Sequence, residues 1–197
     1  MNPKFLRMTA TAAFLAAALT ASASAQTIGL TAGATFNTLS GDDVDDFVES
    51  RTGFVGGAYL NLPLGGGALS LEPALLYTMK GADFPDDDTE LSADYIQIPV
   101  LLRYGFGAGG VKPVLFAGPA ASFQVSCDLS GTFAGDCEDE LSNPETVQWD
   151  GIVGAGLGFG KLGVDVRYEF GLTDAFEDID GKNATWSILL RYALFGK

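Results

Sequence analysis

The stretch that most restricts what this chain can become is Trp149 to Leu172. Its first arm reads Trp149-Asp-Gly-Ile-Val-Gly-Ala-Gly-Leu-Gly-Phe159, and its second reads Leu162-Gly-Val-Asp-Val-Arg-Tyr-Glu-Phe-Gly-Leu172. Alternation sustained over a whole arm predicts a strand whose two faces meet different surroundings. On the second arm Leu162, Val164, Val166, Tyr168, Phe170 and Leu172 share one face, and Gly163, Asp165, Arg167, Glu169 and Gly171 share the other. On the first, Trp149, Val153, Ala155, Leu157 and Phe159 lie opposite Asp150, Ile152, Gly154, Gly156 and Gly158. Only Gly160-Lys161 joins the arms, which predicts a tight hairpin with glycine at a positive-φ position. Each arm has 11 residues, enough for a tilted strand to cross a bilayer. With aromatics near the ends of the apolar face, the hairpin reads as two strands of a transmembrane barrel, lipid outside and a packed polar interior within.

The same pattern recurs along the chain. Strands are predicted at Thr27 to Asn37, Thr52 to Leu62, Leu69 to Lys80, Tyr95 to Phe106, Val111 to Ser126, the two arms above, and Ala184 to Phe195. Connections alternate long and short, as in barrels with short periplasmic turns and longer external loops. An even, closed set of strands also removes the bare edges that lipid does not tolerate. The expectation is therefore an all-β, eight-stranded antiparallel up-and-down transmembrane barrel. Prolines interrupt some strands, and bulges are expected near Pro113 and Pro119.

Charge placement decides which face is inside. The long connections hold 22 of the 25 acidic residues, counting Asp94 and Asp150 with their flanking loops. The other three, Glu72, Asp165 and Glu169, fall on the inner face, as do the strand cations Lys80, Arg103, Lys112, Arg167 and Arg191. No charge falls on the apolar face in this assignment. A soluble barrel would place its charges outside. These eight residues are expected to form an interior charge network, with Glu72 facing Arg103 and Asp165 approaching Arg191. Gly154 and Gly156 stand opposite Arg167 and Asp165 and leave room for long side chains.

Met1 to Ala25 has the form of a secretory signal peptide: Lys4 and Arg7, an apolar run from Thr9 to Thr20, and Ala23-Ser24-Ala25 as the cleavage pattern. Cleavage after Ala25 leaves residues 26–197 as one barrel domain. That mature chain carries 9 basic and 25 acidic residues, a net charge of −16, the wrong sign for a nucleic-acid partner. After export, Cys127 and Cys137 meet an oxidising compartment, which predicts a loop-closing disulfide stabilising by about 3 kcal/mol.

Several segments resemble motifs of the PorT-like outer-membrane β-barrel family, an outer membrane protein β-barrel domain. They are Leu69-Ser-Leu-Glu-Pro-Ala-Leu-Leu-Tyr-Thr-Met-Lys-Gly81, Tyr95-Ile-Gln-Ile-Pro-Val-Leu-Leu-Arg-Tyr104, Lys112-Pro-Val-Leu-Phe-Ala-Gly-Pro119 and Gly160-Lys-Leu-Gly-Val-Asp-Val-Arg-Tyr168. The likeness covers nearly the whole mature chain. It implies an eight-stranded barrel in the bacterial outer membrane, in contact with lipid and lipopolysaccharide and inserted by the barrel-insertion machinery. A terminal aromatic is usual for that machinery; here Phe195 is followed by Gly196-Lys197.

Little in the chain points to chemistry. It has no histidine, the general base of most hydrolytic barrels, so no catalytic residue and no organic cofactor are expected. The acidic loops, Asp178, Asp180 and Asn183 above all, offer hard oxygen ligands suited to Ca²⁺ or Mg²⁺, although no full calcium-loop spacing is present. The expected function is a structural or loop-mediated binding role in the envelope, with a monomer favoured. The alternatives are a transport or protein-secretion component, and a soluble periplasmic lipocalin-like binder with inverted faces.

Overall fold

The computed structural model describes residues 26–40, 51–65, 68–84, 89–107, 109–131, 135–136, 147–172 and 182–196. These form β1 (Thr27–Ser40), β2 (Arg51–Leu64), β3 (Leu69–Phe84), β4 (Thr89–Gly105), β5 (Val111–Gly131), β6 (Gly135–Asp136), β7 (Val147–Phe159), β8 (Leu162–Gly171) and β9 (Lys182–Phe195). Each long strand pairs antiparallel with its neighbours in sequence, β1 pairs with β9, and β4 with β5 closes the ring. The barrel thus has eight strands; the two-residue β6 lies outside the ring, paired with Asp128 and Leu129 of β5.

Alternation sets the wall. Leu189 is completely buried while Leu190 is 65 % exposed, because successive side chains of one strand point to opposite faces. Thirty large hydrophobic side chains among the described residues are exposed, far more apolar surface than a water-soluble monomer presents. Aromatics gather at the two ends of this surface. Trp149, Trp186, Phe36, Phe54 and Tyr77 lie toward the loop end, and Tyr104, Phe106, Phe159, Tyr192 and Phe195 toward the turn end. From Trp186 to Phe195 a strand tilted by about 40° rises about 23 Å, close to the height of a barrel's lipid-facing band. Inverted, lipocalin-like faces are therefore excluded: within the lipid-facing band the apolar side chains face out and the charges face in.

The strands run further toward the loop end than alternation predicts. β4 begins at Thr89 rather than Tyr95, and β5, with 21 residues, continues to Gly131. At the same tilt β5 rises about 50 Å, twice the lipid-facing band. This extension carries Asp94, which the sequence placed in a loop. Asp94 lies on the outer wall, where Tyr77 Oη donates to its Oδ2 at 2.5 Å.

The expected bulges at Pro113 and Pro119 do not occur. The β5–β7 register is unbroken from Val111↔Phe159 to Phe123↔Val147. Around Pro119 and around Pro73 the ladder skips residues and then resumes in the same register, so a missing N–H removes local bonds without inserting a residue. The register shifts lie instead at Asp94/Tyr95 and Ile28/Gly29. The hairpin from Trp149 to Leu172 forms with Gly160 at φ 61°, as its two-residue link requires.

Candidate functional site: the charged interior

Two charged clusters occupy the lumen, separated by apolar side chains. Toward the turn end, β3 supplies Glu72, β4 Arg103, β8 Asp165 and β9 Arg191. Arg103 donates to Asp165 at 2.8 and 3.0 Å and to Glu72 at 3.3 Å. Arg191 donates to Glu72 at 2.6 and 2.7 Å and to Asp165 at 2.8 Å. Asn61 adds a bond to Glu72 at 3.0 Å. Both guanidiniums thus bridge both carboxylates, giving a charge-neutral quartet across the barrel.

Small residues make room for it. A Cβ on Gly156 would lie 2.0 Å from Asp165 Oδ1, so this glycine is the notch that holds the carboxylate. Gly154, directly across from Arg167 in the ladder, does not hold that side chain. Its notch is filled by the Phe116 ring, 2.4 Å from where a Cβ would stand, and that ring supports Arg103 at 4.6 Å. Gly29 does the same for Tyr59, whose ring lies 4.0 Å from the Arg191 guanidinium. Each arginine therefore has carboxylates in its plane and an aromatic face against it.

Toward the loop end, Lys80 of β3 is paired with Glu169 of β8, and Asp150 of β7 lies 3.7 Å away. Gln97 donates to Glu169 at 2.9 Å, and Ser122 donates to Asp150 at 2.7 Å. Between the clusters lie two apolar patches on opposite walls. Leu101, Phe116, Ala120 and Ile152 form one, and Val55, Leu76 and Leu189 form the other.

Seven of the eight residues expected inside are there. Lys112 is not part of the network. It sits one residue into β5, beyond the last interior layer, and its side chain is exposed at the barrel mouth. Asp150, counted with a loop, is buried and acts as an interior carboxylate. Its position in the alternation, on the face of Ile152 and Gly154, carried that information. Gln97, Ser122 and Asn61 share the parity of inner-face residues on their strands in the same way. Arg167 is buried, and its Nε has no hydrogen-bond partner. It balances the sum: four cations (Lys80, Arg103, Arg167, Arg191) face four anions (Glu72, Asp150, Asp165, Glu169).

Other expected sites fall elsewhere. Met1 to Ala25, Cys137, Asp178 and Asp180 lie outside the described residues. Cys127 is described only by its backbone, paired with Ala93, and Asn183 by its backbone, paired with Leu39. Among the described residues no group of three or more Cys, Asp or Glu side chains is placed to hold a metal ion.

Residues 22–177 match the family model described as outer membrane protein beta-barrel domain. No curated protein matches the sequence. Among solved structures, the fold is similar to Ail, the attachment invasion locus protein of Yersinia pestis, with a TM-score of 0.51 at 16 % identity over 86 % of this chain and 99 % of that one. It is similar to Neisserial surface protein A, with a TM-score of 0.52 at 18 % identity over 84 % and 96 %. It is also similar to the outer membrane enzyme PagL, with a TM-score of 0.51 at 18 % identity over 85 % and 99 %. At these identities the likeness is one of fold.

Proposed function

The chain belongs to the outer membrane protein β-barrel domain family, and from that premise we propose that it is a non-catalytic barrel with a closed, polar-packed interior, serving the envelope through its loop end. It resides in the bacterial outer membrane. One observation supports the rest: buried charged and apolar side chains crowd the lumen. Glu72, Arg103, Asp165 and Lys80 are each 9 % exposed or less, and charged clusters and apolar patches fill successive levels of the barrel. An eight-stranded barrel is only wide enough for its own side chains, which supports a scaffold over a pore.

The case against catalysis rests on the same residues. Each interior carboxylate is engaged by a cation, and the chain has no histidine to act as general base. PagL's being an enzyme does not transfer through a shared fold. The strands rising past the lipid band support an interaction at the loop end, with the apolar belt held in lipid and lipopolysaccharide around it. The partner's chemistry differs from the heparin analogue seen with Ail: connections crowded with Asp and Glu repel a polyanion.

Reconstitution in planar bilayers tests the closed interior. The expected result is no steady conductance above the lipid background. Stable, ion-selective openings at low voltage overturn the proposal in favour of a transport role.

A further inference from the structure

The turn end of the barrel contains a cavity of about 170 Å³ that the ion-paired interior leaves unused. Arg103, Asp165, Arg191, Tyr59, Asn61 and Lys161 are among the residues that line it. Three observations give it a ligand chemistry.

The first is donor capacity. Each guanidinium carries five N–H groups. Arg103 and Arg191 each make three hydrogen bonds to Glu72 and Asp165, fewer than the five donors each carries. Every oxygen of Glu72 and Asp165 already accepts at least one bond.

The second is access. The Arg191 side chain, at 12 % exposure, is the least buried member of the quartet and lines the cavity.

The third is sign. The chain as a whole is strongly acidic, yet the three short turns, residues 63–69, 105–111 and 159–162, contain no Asp or Glu. Lys161 and Lys112 are both exposed at this end. The quartet is neutral, so these two lysines add positive charge at this end, the sign that attracts an anion.

We propose that this turn-end vestibule binds a small phosphate dianion or phosphomonoester, held by Arg191, Arg103 and Lys161. Guanidinium forks and a lysine point charge are the usual partners of phosphate oxygens. In a barrel with periplasmic turns, the ligand comes either from the periplasm or from the headgroups of the inner leaflet. The phosphate chemistry is common to both.

The test is calorimetric titration of inorganic phosphate into the purified, folded barrel in a phosphate-free glucoside detergent. Saturable heat is expected, with a Kd on the order of 1 mM that weakens at least tenfold in Lys161→Glu. Lys161 lies in an exposed turn, so the variant keeps its fold, which circular dichroism verifies. Repeating the titration with a short-chain phospholipid present separates the sources: displacement assigns the site to lipid headgroups, and no displacement to a free anion. Heat that fails to saturate up to roughly 20 mM phosphate, or an unchanged Kd in Lys161→Glu, overturns the proposal.

Discussion

Asp165→Asn should be the most damaging isosteric change in this barrel, because Asp165 is bonded to both arginines of the quartet. The substitution preserves shape but converts an acceptor-only carboxylate into an amide and removes one negative charge. Arg103 then loses two charged acceptors, at 2.8 and 3.0 Å, and Arg191 loses one at 2.8 Å. Glu72 alone is left facing two buried cations. Removing one partner of a buried pair costs about 3–5 kcal/mol, mostly for the charge left uncompensated. Part of that is recovered if the surplus cation is removed too. The double variant Asp165→Asn/Arg103→Gln restores neutrality and should be at least about 1 kcal/mol less unstable than the sum of its single variants. Urea unfolding in lipid vesicles, followed by Trp149 and Trp186 fluorescence, measures both. Loss of less than about 1 kcal/mol in Asp165→Asn, or strict additivity in the double variant, would refute the view that the quartet is one coupled unit.

Three further outcomes follow from other parts of the barrel. Gly156→Val places carbon in the notch occupied by Asp165 Oδ1, 2.0 Å from an added Cβ, and should cost about 1–3 kcal/mol in the same assay; Gly158→Val, with only a backbone oxygen 3.8 Å away, should cost less. Leu190→Arg puts a charge on the outer face midway between Trp186 and Phe195 and should destabilise by about 2–4 kcal/mol in vesicles, whereas Lys112→Gln at the exposed mouth should stay within about 0.5 kcal/mol of the parent. Asp128 pairs with Asp136, each adjacent in sequence to a cysteine, so the exported protein should bind thiol reagent by mass spectrometry only after reduction; labelling without reductant would exclude a disulfide between Cys127 and Cys137.

What was readable in the sequence is what depends on a local period. Alternation with a period of two states which side chains of a strand share a face. That was enough to number the strands of the ring, turn the apolar face outward and send Glu72, Lys80, Arg103, Asp165, Arg167, Glu169 and Arg191 inward. It even carried Asp150, whose neighbours in the pattern are interior residues. Membrane crossing follows from the same property, since lipid demands a closed sheet with one continuous apolar face.

Tertiary structure decided how far along the axis each inward side chain sits and what it meets across the lumen. Strand tilt and register set those positions, and both are properties of the closed ring. Lys112 has the parity of an interior residue, but its height in the barrel leaves it in the mouth. Gly154 lies opposite Arg167 in the ladder, yet the ring that fills its notch comes from Phe116 on the neighbouring strand. Asp94 became a wall residue because β4 continues beyond the lipid band. The bridging of two arginines by two carboxylates from four strands depends on closure, because no local pattern relates Glu72 to Arg191, 119 residues apart.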